Sequence, residues 1–171
     1  MPSPSCLTVE QHERLFILNY PGGSRLNRTI GMIVTAMLTA KSGYKIGFQF
    51  DPYRIILDVP ARTTVKDLLA ILKGFVPEVG SLLRFAIKDS PSLKPQLLHS
   101  ARKMGAIAPD ADIGKFGMKK LMEAYSDTPL YTEAVERFLF HQLDENGMED
   151  FIHQINSGDI SIKLSPKTPH G

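Results

Sequence analysis

The sequence predicts an α+β fold: a small β-sheet with a hairpin packs on one long helix, and a mostly helical half and a final strand follow. Three observations lead to this prediction. Apolar residues recur at helical spacing over residues 26–38. Residues 45–51 and 54–59 alternate around Asp51-Pro52, which is typical of a hairpin with one face in the core. Helical spacing then dominates until alternation returns at 160–164.

The first part of the chain divides into a tail and a β-rich part. Residues 1–12 are rich in Pro and Ser, and we expect them to form a loose N-terminal tail. The β-rich part covers 13–60 and begins with a buried strand over 15–20. Ser24 is placed to cap the long helix and Gly43 to end it. The hairpin then completes this part.

The rest of the chain is predicted to form a helical part over 61–158, a last strand over 159–164 and a tail over 165–171. Helical spacing and the Gly and Pro residues that punctuate it predict the following helices: from Thr64 to about Lys73, 77–87, the segment after Pro95, 114–125, 131–143 and 148–156. Residues 13–164 are therefore expected to form one domain, whose last strand could rejoin the sheet.

The charge of the chain is small but unevenly distributed. Residues 61–120 hold eleven Lys/Arg and five Asp/Glu, or +6, whereas residues 121–171 hold three and nine, or −6. A basic centre beside an acidic end suggests a nucleic-acid face on one side; the alternative is mutual neutralisation across the fold. Cys6 is the one cysteine, which excludes an internal disulfide and is typical of a cytoplasmic protein. The longest apolar run is too short to span a membrane.

The start of the long helix is the first candidate site. Helix N-termini expose backbone N–H groups and the positive end of the helix dipole, which suit a phosphate. Gly23 and Ser24 form this turn, Arg25 and Arg28 lie three residues apart on one face, and Asn27 can donate to a phosphate or a base edge. The alternative is a tight turn whose arginines pair with acidic residues of the hairpin or meet solvent.

Two further groups complete the set of candidate nucleic-acid contacts. Tyr53 and Arg54 stand at the hairpin turn, where Tyr53 could stack on a base or pack against the hairpin end. His99, Arg102 and Lys103 share one arc of the helix after Pro95, and such a basic face can follow a phosphate backbone. The alternative is an ordinary solvated face.

Catalytic and metal sites are not predicted. The five histidines form no HExxH motif, the single cysteine offers no zinc pattern, and no GxxxxGK[ST] loop is present. We therefore expect no catalytic residue, no metal and no cofactor in this chain.

Several stretches resemble the C-terminal accessory domain of the large helicase-related (Lhr) family of superfamily 2 DNA helicases, often called the DEAD/DEAH-associated region. They are the entry around Val9-Glu10 and His12, followed by GGSRLNRTIG (22–31), FQFDPYRIIL (48–57), LLHSARKMGAI (97–107), KFGMKKLMEAYSDTPLYTEAV (115–135) and LDENGMEDFIHQINSGDISI (143–162). The likeness extends from about residue 9 to residue 164, and the order and spacing of the stretches carry it. Its family-pattern positions include Gly23, Arg25, Asn27, Asp51, Tyr53, Arg54 and Arg102.

The resemblance implies a nucleic-acid-binding role beside an ATP-driven 3′-to-5′ motor. The expected partners are DNA, as a single strand or a duplex junction, with RNA as the alternative, and a helicase motor chain with RecA-like and winged-helix domains. ATP and Mg²⁺ are implied only for that motor. Since the motor motifs are absent here, we expect a split-gene subunit or a fragment. The competing hypothesis is a protein-interaction module that docks on a motor subunit without DNA affinity of its own.

Overall fold

A computed structural model describes residues 5–75, 78–88, 90, 93–105, 107–110, 112 and 114–165, without the side chains of residues 115 and 116. In chain order its elements are β1 (Cys6–His12), β2 (Leu15–Asn19), α1 (Ser24–Ser42), β3 (Gly47–Asp51), β4 (Arg54–Asp58), α2 (Val65–Lys73), α3 (Val79–Lys88), α4 (Leu93–Lys103), α5 (Lys115–Tyr125), α6 (Pro129–Gln142), α7 (Glu145–Ser157) and β5 (Ser161–Leu164). The α+β prediction is confirmed. The chain divides into unit 1, Met1–Leu83 with Leu143–Gly171, and unit 2, Arg84–Gln142.

The sheet of unit 1 has the strand order β3-β4-β2-β1-β5. The first four strands are joined by antiparallel pairing, whereas β5 runs parallel to β1. The last strand therefore does rejoin the sheet, as the alternation at its end suggested. Its partner is the segment that was expected to be a tail.

The N-terminal segment is the clearest correction to the sequence-based prediction. Cys6–His12 forms β1 at an inner position of the sheet, between β2 and β5. Leu7 and Val9 are fully buried, because the segment alternates and turns these two side chains into the core. The Pro and Ser content of the first five residues masked this short pattern. Residues 1–4 of the predicted tail, and 166–171 of the C-terminal one, lie outside the described residues.

Helix α1 is the centre of unit 1. It packs against β3, β4, α2 and α7, and most of its residues from Asn27 to Leu38 are buried. Gly31 lets the hairpin approach closely, since a Cβ atom there would lie 2.5 Å from the Phe48 ring. The helix ends at Gly43, which adopts the left-handed conformation (φ 78°) and donates its N–H to the Thr39 carbonyl. The predicted end of the helix is confirmed.

Aromatic packing joins α7 to the start of the fold. The Tyr20 ring meets Phe151 edge-on at 5.1 Å between centroids, and Phe75 lies 6.5 Å from the same ring. Burial raises the pKa of the Tyr20 phenol, which is therefore neutral at physiological pH.

In unit 2, α4 packs against α5 and α6. Leu93, Leu97 and Ala101 of α4 are fully buried. Helix α4 starts two residues before Pro95, which lies in its first turn, where the missing N–H costs no helical hydrogen bond. The prediction that this helix begins after Pro95 is wrong by three residues, which is nearly one turn.

Candidate nucleic-acid interface

The start of α1 depends on the backbone conformation of Gly23. Gly23 precedes the helix with φ 86° and ψ 164°, a region that residues other than glycine essentially do not adopt. In this conformation its N–H donates to the Pro52 carbonyl at 3.0 Å, and its carbonyl accepts from Asn27 N at 2.9 Å. Ser24 is thus the first helical residue and not the cap, and among the described residues no side chain caps the helix. The first turn contains no acidic residue, so no carboxylate of that turn competes with an anion for the helix N-terminus.

Asn27 holds the helix start against the hairpin from the inside. The residue is fully buried, and its Nδ2 donates to the Tyr20 carbonyl at 2.8 Å and to the Asp51 carbonyl at 3.0 Å. The expectation that Asn27 itself contacts a sugar or base is wrong, because solvent cannot reach its amide. Asn27 instead positions the two segments that carry the exposed residues.

The hairpin turn is organised by Asp51. Its Oδ1 accepts the N–H groups of Tyr53 and Arg54 at 2.7 and 2.9 Å, and its Oδ2 lies 3.3 Å from Arg54 Nε. The Tyr53 carbonyl accepts from Tyr20 N at 2.9 Å, which fixes the turn to the end of β2. The Tyr53 ring projects into solvent with 67% of its surface exposed. The turn therefore presents an aromatic ring on a rigid backbone.

The two arginines of α1 occupy different environments. Arg25 is exposed, and its Nη2 donates to the Leu143 carbonyl, just before α7. Arg28 is half-buried, with its guanidinium carbon 5.5 Å from the centroid of the Phe50 ring. Burial lowers the pKa of Arg28, although an arginine remains protonated at neutral pH. Arg25 therefore also makes a bond within the fold, although this bond goes to a carbonyl before α7 and not to an acidic residue of the hairpin, as the structural alternative had it.

These segments form one surface, which we call the corner surface: Arg25, Arg28, Phe50, Tyr53 and Arg54. Its members lie on the first turns of α1 and on the hairpin end. The Gly23 N–H joins these two segments by donating to the Pro52 carbonyl, and the Asn27 amide by donating to the Asp51 carbonyl. It combines three guanidinium groups with an exposed tyrosine ring. Guanidinium groups bind phosphates, and an aromatic ring stacks on an unstacked base. Phe50 lies on β3, and 37% of it is exposed beside Arg28.

The second predicted group lies in unit 2, so it is described by itself. His99 and Lys103 are exposed and four residues apart on α4, whereas Arg102 is half-buried. The exposed pair shares one helix face, as the spacing predicted. Phosphate contact by this face stays a prediction.

Metal-binding clusters and membrane-spanning helices are both absent from the described residues. No group of three or more His, Cys, Asp or Glu side chains there could hold a metal ion. Within that same part of the chain, no helix is long and apolar enough to cross a membrane.

Comparisons with known proteins agree with the resemblance found in the sequence. The family model described as "DEAD/H associated" matches residues 1–169. Among solved structures, the chain is similar to the Mycobacterium smegmatis helicase Lhr bound to ssDNA and AMP-PNP, with a TM-score of 0.72 and 17% sequence identity. The match covers 96% of this chain and 22% of that chain. No curated protein sequence matches the chain. The chain belongs to the DEAD/H-associated family, and it has the fold of the part of helicase Lhr that it matches.

Proposed function

We propose that this chain is a non-catalytic nucleic-acid-binding accessory domain of an Lhr-like ATP-dependent DNA helicase, and that its corner surface helps to guide the tracked strand. The observation that carries the proposal is the set of hydrogen bonds that fix the start of α1 to the hairpin turn. These bonds hold the two segments that bear Arg25, Arg28, Tyr53 and Arg54 side by side. Membership of the family and the similarity to a helicase bound to ssDNA support the motor context.

The arginines supply the attraction to phosphate. An arginine at a helix N-terminus opposes the positive end of the helix dipole, so helix stability does not explain two of them there. A phosphate between these side chains and the uncapped first turn would reverse that penalty, since the dipole and both guanidinium groups then attract the same anion. Arg54 adds a third cation beside the turn, with its side chain 52% exposed.

Tyr53 supplies a stacking platform. The Tyr53 ring is exposed on a turn that the Asp51 carboxylate holds by hydrogen bonds, so it offers an accessible flat face to a ligand. Single strands expose such faces, and stacking of one base on an aromatic side chain contributes about 1–3 kcal/mol. The corner surface therefore suits a single strand better than an intact duplex.

The test is the affinity of purified protein for a fluorescently labelled single strand, measured by anisotropy. Tyr53→Ala should weaken binding by about tenfold, whereas Tyr53→Phe, which keeps the ring, should stay within about twofold of the native protein. Arg137→Ala serves as a control for the loss of a partly exposed arginine of unit 2, which pairs with Glu133 at 3.0 Å. Equal binding by the alanine and phenylalanine variants would contradict the stacking role.

A second candidate function is a protein-interaction module that docks on a motor chain without affinity for DNA. The exposed apolar side chains of unit 2 favour it: Phe85, Met104 and Phe140 are 58%, 62% and 75% exposed. Co-purification with a motor chain, together with no retention of DNA at low salt, would support this function over the first.

A further inference from the structure

Strand β3 forms an open edge of the unit 1 sheet. It stands first in the strand order β3-β4-β2-β1-β5, and among the described strands it pairs with β4 alone. Phe48 packs on Gly31 of α1, whereas Gln49 is exposed and Phe50 is 37% exposed. One side of β3 is therefore held by the fold, and the other side faces away from the sheet.

The pairing of β4 shows which backbone groups of the hairpin face β2. Tyr20 N donates to the Tyr53 carbonyl, and Val59 N donates to the Arg14 carbonyl, both at 2.9 Å. Backbone groups in an antiparallel pair change sides at every residue, so alternate residues from Tyr53 to Val59 face β2. The residues between them face β3, where their partners are Asp51, Gln49 and Gly47.

The N–H and carbonyl groups of Phe48 and Phe50 consequently point away from β4, toward the open edge. No described residue bonds to these groups. Donors and acceptors on alternate residues of an extended backbone are the pattern that an added β-strand satisfies. The edge therefore suits a partner that is itself an extended polypeptide strand.

Strand β3 also lacks the features that keep strand edges from pairing. Natural edge strands carry charged residues, above all lysine, or a proline or a bulge. From Gly47 to Phe50 the strand has no charged residue and no proline, and its register with β4 is regular. The opposite edge, β5, carries Lys163. Of the two edges, β3 is thus the one whose sequence permits a further strand.

We propose that β3 pairs with β3 of a second copy of this chain, antiparallel about a two-fold axis at Gln49. This register sets Phe48 opposite Phe50 of the second copy, and each of these symmetric pairs exchanges two backbone hydrogen bonds. Each pair also joins two aromatic side chains on one face of the sheet, which stabilises strand pairing. No like charges are opposed, because neutral Gln49 meets itself and Asp51 meets Gly47. This self-complementarity favours a second copy, which closes into a dimer.

The test is the mass of the full chain in solution, measured by analytical ultracentrifugation over a range of concentrations. The native protein should pass from monomer to dimer as the concentration rises. Gln49→Lys and Gln49→Glu each oppose two like charges on the axis, so each should raise the dimer dissociation constant by about fivefold. A mixture of the two variants opposes unlike charges and should dimerise at least about tenfold more tightly than either variant alone. Asn156→Lys is the control, since Asn156 is exposed on α7 and should leave the dimer unchanged.

Amide hydrogen exchange locates the contact. The Phe48 and Phe50 amides should exchange more slowly in the dimer than in the monomer, whereas the Gln49 amide, which faces β4, should be protected in both. The thermal midpoint of monomeric Gln49→Lys should equal the native one, since Gln49 is exposed, so a weaker dimer would not reflect misfolding.

Three results would overturn the proposal, and none of them depends on nucleic-acid binding. A monomer at every concentration up to about 1 mM would exclude the second copy and assign the edge to a strand of another protein. A dimer in which the Phe48 and Phe50 amides exchange as in the monomer would place the contact elsewhere. A mixture of the Gln49 variants that dimerises no more tightly than its components would refute the register.

Discussion

The substitution Asn27→Asp tests whether the corner surface depends on one buried amide. The change keeps the shape of the side chain but replaces the Nδ2 donor with an oxygen. That oxygen would face the Tyr20 and Asp51 carbonyl oxygens at the present distances of 2.8 and 3.0 Å. Two hydrogen bonds are lost, and a buried carboxyl group is created without a partner for its charge. Each buried acceptor that loses its donor costs about 1–3 kcal/mol, so we expect a loss of about 3–5 kcal/mol.

Urea denaturation followed by circular dichroism measures this loss. With a slope of about 1–3 kcal/mol per molar urea, this loss should lower the midpoint by about 1–5 M. Asn156→Asp is the matched control, because Asn156 is exposed on α7 and the same chemical change there should alter the stability by less than about 0.5 kcal/mol. If Asn27→Asp is as stable as this control, Asn27 does not hold the hairpin to α1 and the assignment of its positioning role fails.

Two further changes test the local geometry. Gly23→Ala should destabilise the protein by about 1–3 kcal/mol in the same urea assay, because alanine disfavours φ 86° with ψ 164°. Asp67→Asn should destabilise the protein at pH 7, and the difference from the native protein should shrink as the pH falls below the usual carboxyl pKa of 3.8. The N–H of Thr64 and the Lys41 ammonium lower the pKa of Asp67, so its stabilisation is present above that pH and is lost as the pH falls through its folded pKa.

Each of these expectations has a result that contradicts it. A native midpoint for Gly23→Ala would mean that the helix start can adopt another conformation. For Asp67, a stability difference that stays constant from pH 7 to pH 2 would show that the carboxylate charge does not contribute. Asp150→Asn is the control, since Asp150 is exposed on α7 and makes no described ion pair.

Much of the fold could be predicted because local patterns determine it. The alternation on both sides of Asp51-Pro52 placed the hairpin, and the helical spacing with Gly43 placed α1 and its end. Strand β1 was missed because its two buried side chains, Leu7 and Val9, follow a Pro/Ser-rich start. A pattern of only two apolar positions carries little information without the neighbouring strands that bury them.

The candidate site could be predicted only in part. The turn and the arginines were visible in the sequence, but the burial of Asn27 was not, because it depends on carbonyl groups of Tyr20 and Asp51 in other elements. The hydrogen bond that Asp144 N donates to Thr29 Oγ1 joins residues 115 positions apart, and no local sequence pattern predicts it.

The proposed function depends most on contact between the corner surface and the phosphates of a single strand. The measurement that tests it most directly is the salt dependence of single-strand affinity for the native protein and for the double variant Arg25→Ala/Arg28→Ala. Each phosphate contact contributes about 0.7 to the slope of log affinity against log salt for a single strand, so losing two contacts should reduce the slope by about 1.4. A folded double variant that keeps the native slope and affinity would show that these arginines only support the fold.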